Sequence, residues 1–139
     1  MIILVAEDEA IIALALKLDL DLAGHQVLGP AADVDEALQL ATERRPDLGL
    51  IDLHLRSGGD GLRLARALKE QWSVPCLLLS AYTVEARTAS DVAVGLIGKP
   101  YELDEVVEAV AAIGELLAGR RPARMPRRLE LFGAWAGPA

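Results

Sequence analysis

Four apolar runs in this chain end in residues that can do chemistry. IILVAEDE, residues 2–9, closes on Glu7, Asp8 and Glu9; GLIDLHL carries Asp52; LLLS ends at Ser80; GLIGKP puts Lys99 ahead of Pro100. If these runs are strands of one parallel sheet, their carboxyl ends share one edge, where open α/β sheets bind ligands. Carboxylates that converge repel one another, so their pKa values rise or a cation neutralises them. Oxygen ligands without a Cys or His cluster suit a hard ion such as Mg²⁺, which keeps waters and phosphate oxygens in its shell. Lys99 supplies a point charge and Ser80 a hydroxyl donor for phosphoryl oxygens. Phosphoryl transfer needs these parts and an in-line nucleophile. The candidate nucleophile is Asp52, whose carboxylate would become an aspartyl phosphate. A lone acid at a strand end would merely terminate the strand; the company of Glu7, Asp8, Ser80 and Lys99 favours chemistry.

The elements that must position these residues are legible. Strand-like runs span Ile2–Ala6, Gln26–Gly29, Leu48–Leu53, Val74–Ser80 and Val94–Gly98. Most are apolar throughout, as parallel strands covered on both faces are. Between them run helical periods: Ile11, Ala15, Leu18 and Leu22; Val34, Ala37, Leu38 and Ala41 behind the capping candidate Asp33; Leu62, Ala65, Leu68 and Trp72; and Leu103, Val106, Val107, Val110 and Leu117. A fourth helix over Thr83–Asp91 is short and poorly periodic. Breakers at AGH, Arg45-Pro46-Asp47, SGGDG and Val74-Pro75 separate the elements. Five βα units predict an α/β sandwich with a doubly wound parallel sheet.

In this order and spacing, VAEDE, LIDLHL, GGDG, LLLSAY and GKPY resemble the receiver domain of bacterial two-component response regulators. The resemblance runs from Ile2 to about Leu117 and implies a flavodoxin-like (βα)5 sandwich with strand order 2-1-3-4-5. It implies that Asp52 is the phosphoacceptor, that Asp8 ligates Mg²⁺ directly, and that Glu7 acts mainly through a water. His54 would lend its backbone carbonyl to the ion. Ser80 matches the switch hydroxyl and Lys99 its lysine partner, followed by a cis Lys99-Pro100 bond. The implied partner is a histidine kinase or histidine phosphotransfer protein. The protein would not be a conventional enzyme, although it would catalyse its own phosphorylation and dephosphorylation.

The chain departs from the family pattern in places. Leu96 stands where receivers often have a switch aromatic, with Tyr82 and Tyr101 as nearby substitutes. Arg56 stands where a proline is common. The Ser80–Lys99 stretch is short for the family. These features resemble a subgroup of stand-alone receivers, signalling by protein contact or phosphorelay. Three rival readings compete. The first is a phosphorylation-silent receiver used as a binding module. The second is a metal-dependent hydrolase, disfavoured because its second acid would fall on His54. The third is a flavodoxin, disfavoured because Glu7-Asp8-Glu9 repels phosphate. His54 could also tune hydrolysis of the phosphoryl group, although it has no partner at zinc-ligand spacing. His25 carries no expected chemistry, and Cys76 in VPCLLL reads as a small core residue.

Composition bounds the rest. The chain has 139 residues, 53% hydrophobic, with mean hydropathy +0.30, enough for one cored domain. Its longest clean apolar stretch, Ala10–Leu16, is too short to cross a bilayer, and MIILVAEDE lacks the basic start of a secretory signal. One cysteine permits no internal disulfide. A cytoplasmic protein is expected. Residues 1–119 hold 9 basic and 20 acidic side chains; residues 120–139 hold 5 arginines and 1 glutamate. An acidic body is a poor general binder of nucleic acid. We divide the chain into a receiver, 1–118, and a tail, 119–139, and expect no DNA-binding or enzymatic output domain to follow. RRPARMPRR reads as a solvated linker, because its prolines disfavour a helix. LELFGAW is too apolar to leave in water. It is expected to pack on its own domain or on a neighbouring copy, which makes a tail-mediated homodimer a reasonable expectation.

Overall fold

The computed structural model describes residues 1–55 and 60–136. Arg56 and most of SGGDG lie outside the described residues. Strands β1 (Ile2–Ala6), β2 (Gln26–Ala31), β3 (Leu48–Asp52), β4 (Cys76–Ser80) and β5 (Ala93–Gly98) alternate with helices α1 (Ala10–Leu22), α2 (Val34–Glu43), α3 (Asp60–Trp72), α4 (Thr83–Arg87) and α5 (Leu103–Leu117). The strands form a parallel sheet in the order β2-β1-β3-β4-β5, as expected. β3 and β4 are buried along their whole length, which explains their unbroken apolar sequences. Two apolar layers sandwich the sheet. One joins α2 and α3 to residues such as Leu4, Ile51, Leu64, Leu68 and Leu78. The other joins α1 and α5 to Ile3, Val5, Leu16, Leu50, Leu77 and Ile113.

Several local expectations hold. Asp33 caps α2 by accepting the Glu36 N–H at 2.9 Å. Cys76 is fully buried, and burial pushes its thiol up to about 12. Fourth in line, α4 is indeed short, at five residues. Lys99-Pro100 is cis.

Two expectations need correction. The stripe Ile11, Ala15, Leu18, Leu22 does not face the core. Ile11 is 86% exposed and Leu22 87%, while Ala13, Leu16 and Leu20 are the buried residues of α1. The helix is apolar on nearly every side, so two stripes compete on periodicity and only the packing chooses between them. The sheet also has a sixth strand. β6 (Leu129–Leu131), drawn from the tail, pairs antiparallel with β5 in the register Gly95↔Leu131, Leu96↔Glu130, Ile97↔Leu129. A turn of 3-10 helix follows at Gly133–Ala136.

The tail therefore packs on its own domain. It covers an edge strand whose unpaired N–H and C=O groups would otherwise invite other chains. Phe132 is its anchor, only 5% exposed, and its N–H donates to the Val94 carbonyl at 2.8 Å. Truncating a buried phenylalanine costs about 3 kcal/mol or more. Phe132→Ala should lower the urea midpoint accordingly without changing secondary structure by circular dichroism. An unchanged midpoint would mean the tail is not seated in solution.

Candidate functional site

The carboxyl ends of β1, β3, β4 and β5 bring Glu7, Asp8, Asp52, Ser80 and Lys99 to one edge of the sheet. Local backbone bonds hold these ends in step. The Glu7 N–H donates to Ala31 O, Leu53 N–H to Leu79 O, and Lys99 N–H to Ser80 O, at 2.9, 3.0 and 2.9 Å. Three polar side chains are buried here: Glu7 at 2% exposed, Asp52 at 3% and Ser80 at 1%.

Asp52 is held by both oxygens. Oδ2 accepts from Lys99 Nζ at 2.8 Å, and Oδ1 accepts the His54 backbone N–H at 3.0 Å. Glu7, Asp8 and Asp52 each offer a carboxylate oxygen within 4.8 Å of the other two. Glu7 Oε1 is buried with no hydrogen-bond partner, and Oε2 has only a long contact of 3.4 Å from the Glu9 N–H. Such an orphaned carboxylate oxygen beside two other acids calls for a proton or a cation. The donor set is all oxygen and fits a hard divalent ion.

The electrostatics agree with the geometry. Burial first, and then the neighbouring Asp52 carboxylate, which repels the charge and would accept a proton held on Glu7, push the Glu7 carboxyl up to about 8. Burial works against the charge on Lys99, but Asp52, backed by Glu7 and Glu9, outweighs it and holds the amine above its ordinary range. Because folding raises the Glu7 pKa above its ordinary 4.5, the neutral form stabilises the fold. That contribution is full below the unfolded value and is lost as pH rises through about 8. In chelator, the chain should unfold at lower urea at pH 8.5 than at pH 6. Glu7→Gln should flatten that slope, and an equal slope in both proteins would contradict it.

The other candidates fall nearby. Ser80 Oγ accepts the Tyr82 N–H at 2.8 Å. The His54 ring packs edge-on against the ring of Tyr82, centroids 4.6 Å apart, with Nε2 3.3 Å from Glu85 Oε2. Sequence reasoning missed Glu85, because nothing in its spacing ties α4 to the loop after β3. Leu96 is buried, and of the two tyrosines Tyr82 is mostly exposed while Tyr101 is half-buried with a partnerless hydroxyl. Beside Lys99, an apolar groove of about 580 Å³ is lined by Ile11, Ile12, Ala15, Pro100, Tyr101 and Leu103. It continues the exposed face of α1, which periodicity alone had assigned to the core.

A doubly wound sheet with acids just past β1, an aspartate ending β3 and a lysine after β5 is the arrangement of a receiver domain. The chain matches the response regulator receiver domain family over residues 3–111 and belongs to it. It is 35% identical over 102 residues to the phyllosphere-induced regulator PhyR of Methylorubrum extorquens, covering 72% of this chain and 38% of that protein. It is 29% identical over 111 residues to the transcriptional regulatory protein PdtaR of Mycobacterium tuberculosis, covering 78% and 54%. The chain thus spans about half or less of the length of these relatives. Among solved structures, a response regulator from Chloroflexus aurantiacus superposes with a TM-score of 0.70 at 28% identity, covering 81% of this chain and 95% of that one. TrrA of Thermotoga maritima, in complex with Mg²⁺-BeF, gives 0.67 at 27%, covering 78% and 95%. Among the described residues, no helix is long and apolar enough to cross a membrane.

Proposed function

We propose that this receiver accepts a phosphoryl group on Asp52 from a histidine kinase or histidine phosphotransfer protein, and signals from the cytoplasm by protein contact or by passing the group on. The observation that carries this reading is the grip on Asp52: a buried carboxylate held by Lys99 Nζ at 2.8 Å and the His54 N–H at 3.0 Å, beside Glu7 and Asp8.

Glu7, Asp8 and Asp52 would hold Mg²⁺, with the His54 carbonyl as a further ligand. When bound, the ion supplies positive charge to the phosphoryl oxygens. In the step itself, an Asp52 carboxylate oxygen attacks phosphorus in line. The new O–P bond forms as the N–P bond of the donor phosphohistidine breaks; the electron pair of that bond stays on the ring nitrogen, and the ring, protonated at its other nitrogen, leaves as neutral imidazole. Lys99 exchanges its bond to Asp52 Oδ2 for one to a phosphoryl oxygen, and the Ser80 hydroxyl donates to another. Both act where negative charge gathers, in a site with little water. Hydrolysis of the aspartyl phosphate by water reverses the state, with His54 and Tyr82 at the entrance. The exposed apolar side chains of α1 give a donor protein an apolar seat beside the site. With the tail seated on its own domain, a homodimer would have to use another face; sedimentation with and without phosphodonor tests for it.

Intact-mass analysis after incubation with acetyl phosphate decides the central claim. One added phosphoryl group with Mg²⁺, and none with chelator, is the expected result. No adduct under any condition, with beryllium fluoride also failing to bind, would sink this reading and leave a phosphorylation-silent binding module.

A further inference from the structure

We propose that the C-terminal strand β6 is a displaceable strap, gripped by α4, which follows Ser80, and by the loop that carries Lys99, and loosened when Asp52 is phosphorylated. The inference rests on the phosphoacceptor reading above and adds a built-in readout to it.

The strap is held by many weak contacts and few strong ones. Past Leu117 the chain turns back along α5, and three arginines meet glutamates of that helix. Arg120 reaches Glu115 at 2.6 Å, Arg124 reaches Glu108 at 4.0 Å and Arg128 reaches Glu105 at 3.1 Å. All three arginines are at least half exposed, so each pair contributes little. β6 itself has three residues. Just past it, Phe132 is the large apolar side chain of the tail that is buried among the described residues. A short strand of this kind belongs to the low-stability end of a fold, where local opening precedes global unfolding.

Both grips lead to the phosphoryl site. One is Arg128, whose guanidinium donates to the Pro100 carbonyl at 2.9 Å, one residue beyond Lys99. Its neighbour Leu129 is the register partner of Ile97, two residues before Lys99. The other is Arg87 on α4, which takes both Glu130 oxygens at 2.7 and 2.8 Å. α4 is itself tied to the site, because the Tyr82 N–H at its start donates to Ser80 Oγ. In the resting site, Lys99 sits on Asp52 and Ser80 on Tyr82. A phosphoryl group on Asp52 presents new acceptor oxygens to both. Lys99 shifts to meet them, and the Ser80 hydroxyl turns its proton toward them, which pulls on the bond it accepts from Tyr82. The loops leading to Arg87 and Pro100 then no longer present the positions on which the strap is seated.

Gly95 supplies a selective way to evict the strap. A Cβ there would lie 2.2 Å from the Glu130 carbonyl oxygen, 3.1 Å from its carbon and 3.2 Å from Leu131 Cα, all backbone atoms of β6. Gly95→Ala should therefore push β6 off β5 while leaving the rest of the domain in place.

The test uses the full chain with beryllium fluoride and Mg²⁺. Bound fluoride is read by fluorine NMR, and the Phe132 amide, bonded to Val94, is read by hydrogen exchange. Binding should speed exchange at Phe132 at least tenfold. Gly95→Ala should exchange fast without ligand. By reciprocity of coupled equilibria it should also bind beryllium fluoride several-fold more tightly than wild type. Arg128→Gln, a surface change that cannot unfold the core, should shift affinity the same way by a smaller factor and stands in if Gly95→Ala fails to fold. Bound fluoride with Phe132 exchange unchanged, or with affinity the same in the strap variants, overturns the strap and leaves the phosphoacceptor reading intact. No bound fluoride in wild type overturns the phosphoacceptor reading, and the strap inference with it.

Discussion

Asp52→Asn should abolish the phosphoryl adduct completely, with acetyl phosphate and Mg²⁺ in excess, while the protein stays folded. Three acids crowd this corner, so the choice among them has to be argued. Glu7 has one carboxylate oxygen without a partner and receives no hydrogen bond from Lys99, so nothing holds it in line as it does Asp52. Asp8 is half exposed and accepts no side-chain hydrogen bond from Lys99, whose amine goes to Asp52. Only Asp52 has the lysine on one oxygen and a backbone N–H on the other, which aims its carboxylate at the space beside Glu7 and Asp8. Asparagine has the same shape and can still accept the His54 N–H through its amide oxygen. Lys99 loses a partner but is partly exposed, so it can reach water. Intact mass reads the adduct and circular dichroism reads the fold. A persistent adduct in Asp52→Asn would move the nucleophile to another acid.

The second large effect concerns stability. Gly61→Ala should cost about 2–3 kcal/mol, the upper part of the range of about 1–3 kcal/mol for forcing an extra group into a filled interior. A Cβ at Gly61 would lie 2.5 Å from the Asp52 carbonyl oxygen and 2.6 Å from both the Leu53 Cα and the Leu53 oxygen. Every one of these atoms is backbone, so no flexible side chain can yield. The Gly61 N–H also donates to the Leu53 carbonyl at 3.1 Å, which fastens the first turn of α3 to the chain just past Asp52. Displacing that turn should disturb Asp52 as well as the fold. Gly114→Ala is the control with the opposite sign. Its Cβ would meet only the end of the Met1 side chain, at 3.1 and 3.4 Å, in the last turn of α5. Alanine there should add up to about 1 kcal/mol through helix propensity. Urea midpoints of the two variants should move apart; a similar shift in both would show that close backbone approach at Gly61 is not what matters.

The site was more legible than the packing, and for a definite reason. Residues that do chemistry at strand ends are few, polar and abrupt against apolar runs, so Glu7, Asp8, Asp52, Ser80 and Lys99 stand out one by one. A βα alternation then forces those ends to one edge of the sheet. Helix faces are read from periodicity instead, and α1 defeats that method. With Ile11, Ile12, Leu14, Leu16, Leu18, Leu20 and Leu22 in thirteen residues, almost any stripe looks apolar. What distinguishes Leu16 from Leu18 is the sheet beneath it, which no window of sequence contains.

The tail shows the same division. Its apolar content predicted burial, and burial is found at Phe132. That it would run antiparallel along β5 depended on Gly95 lacking a side chain, on Arg87 and Glu130 meeting across forty-three residues, and on the linker returning along the acids of α5. From the sequence alone came the α/β class, the strand ends and the polar residues gathered at them, because these follow from local pattern and residue type. The outward face of α1, the sixth strand, the contact of His54 with Glu85 and the grip of the strap on the site were decided only in three dimensions. Each depends on which distant residues the fold brings within a few ångströms, and local pattern carries no record of that.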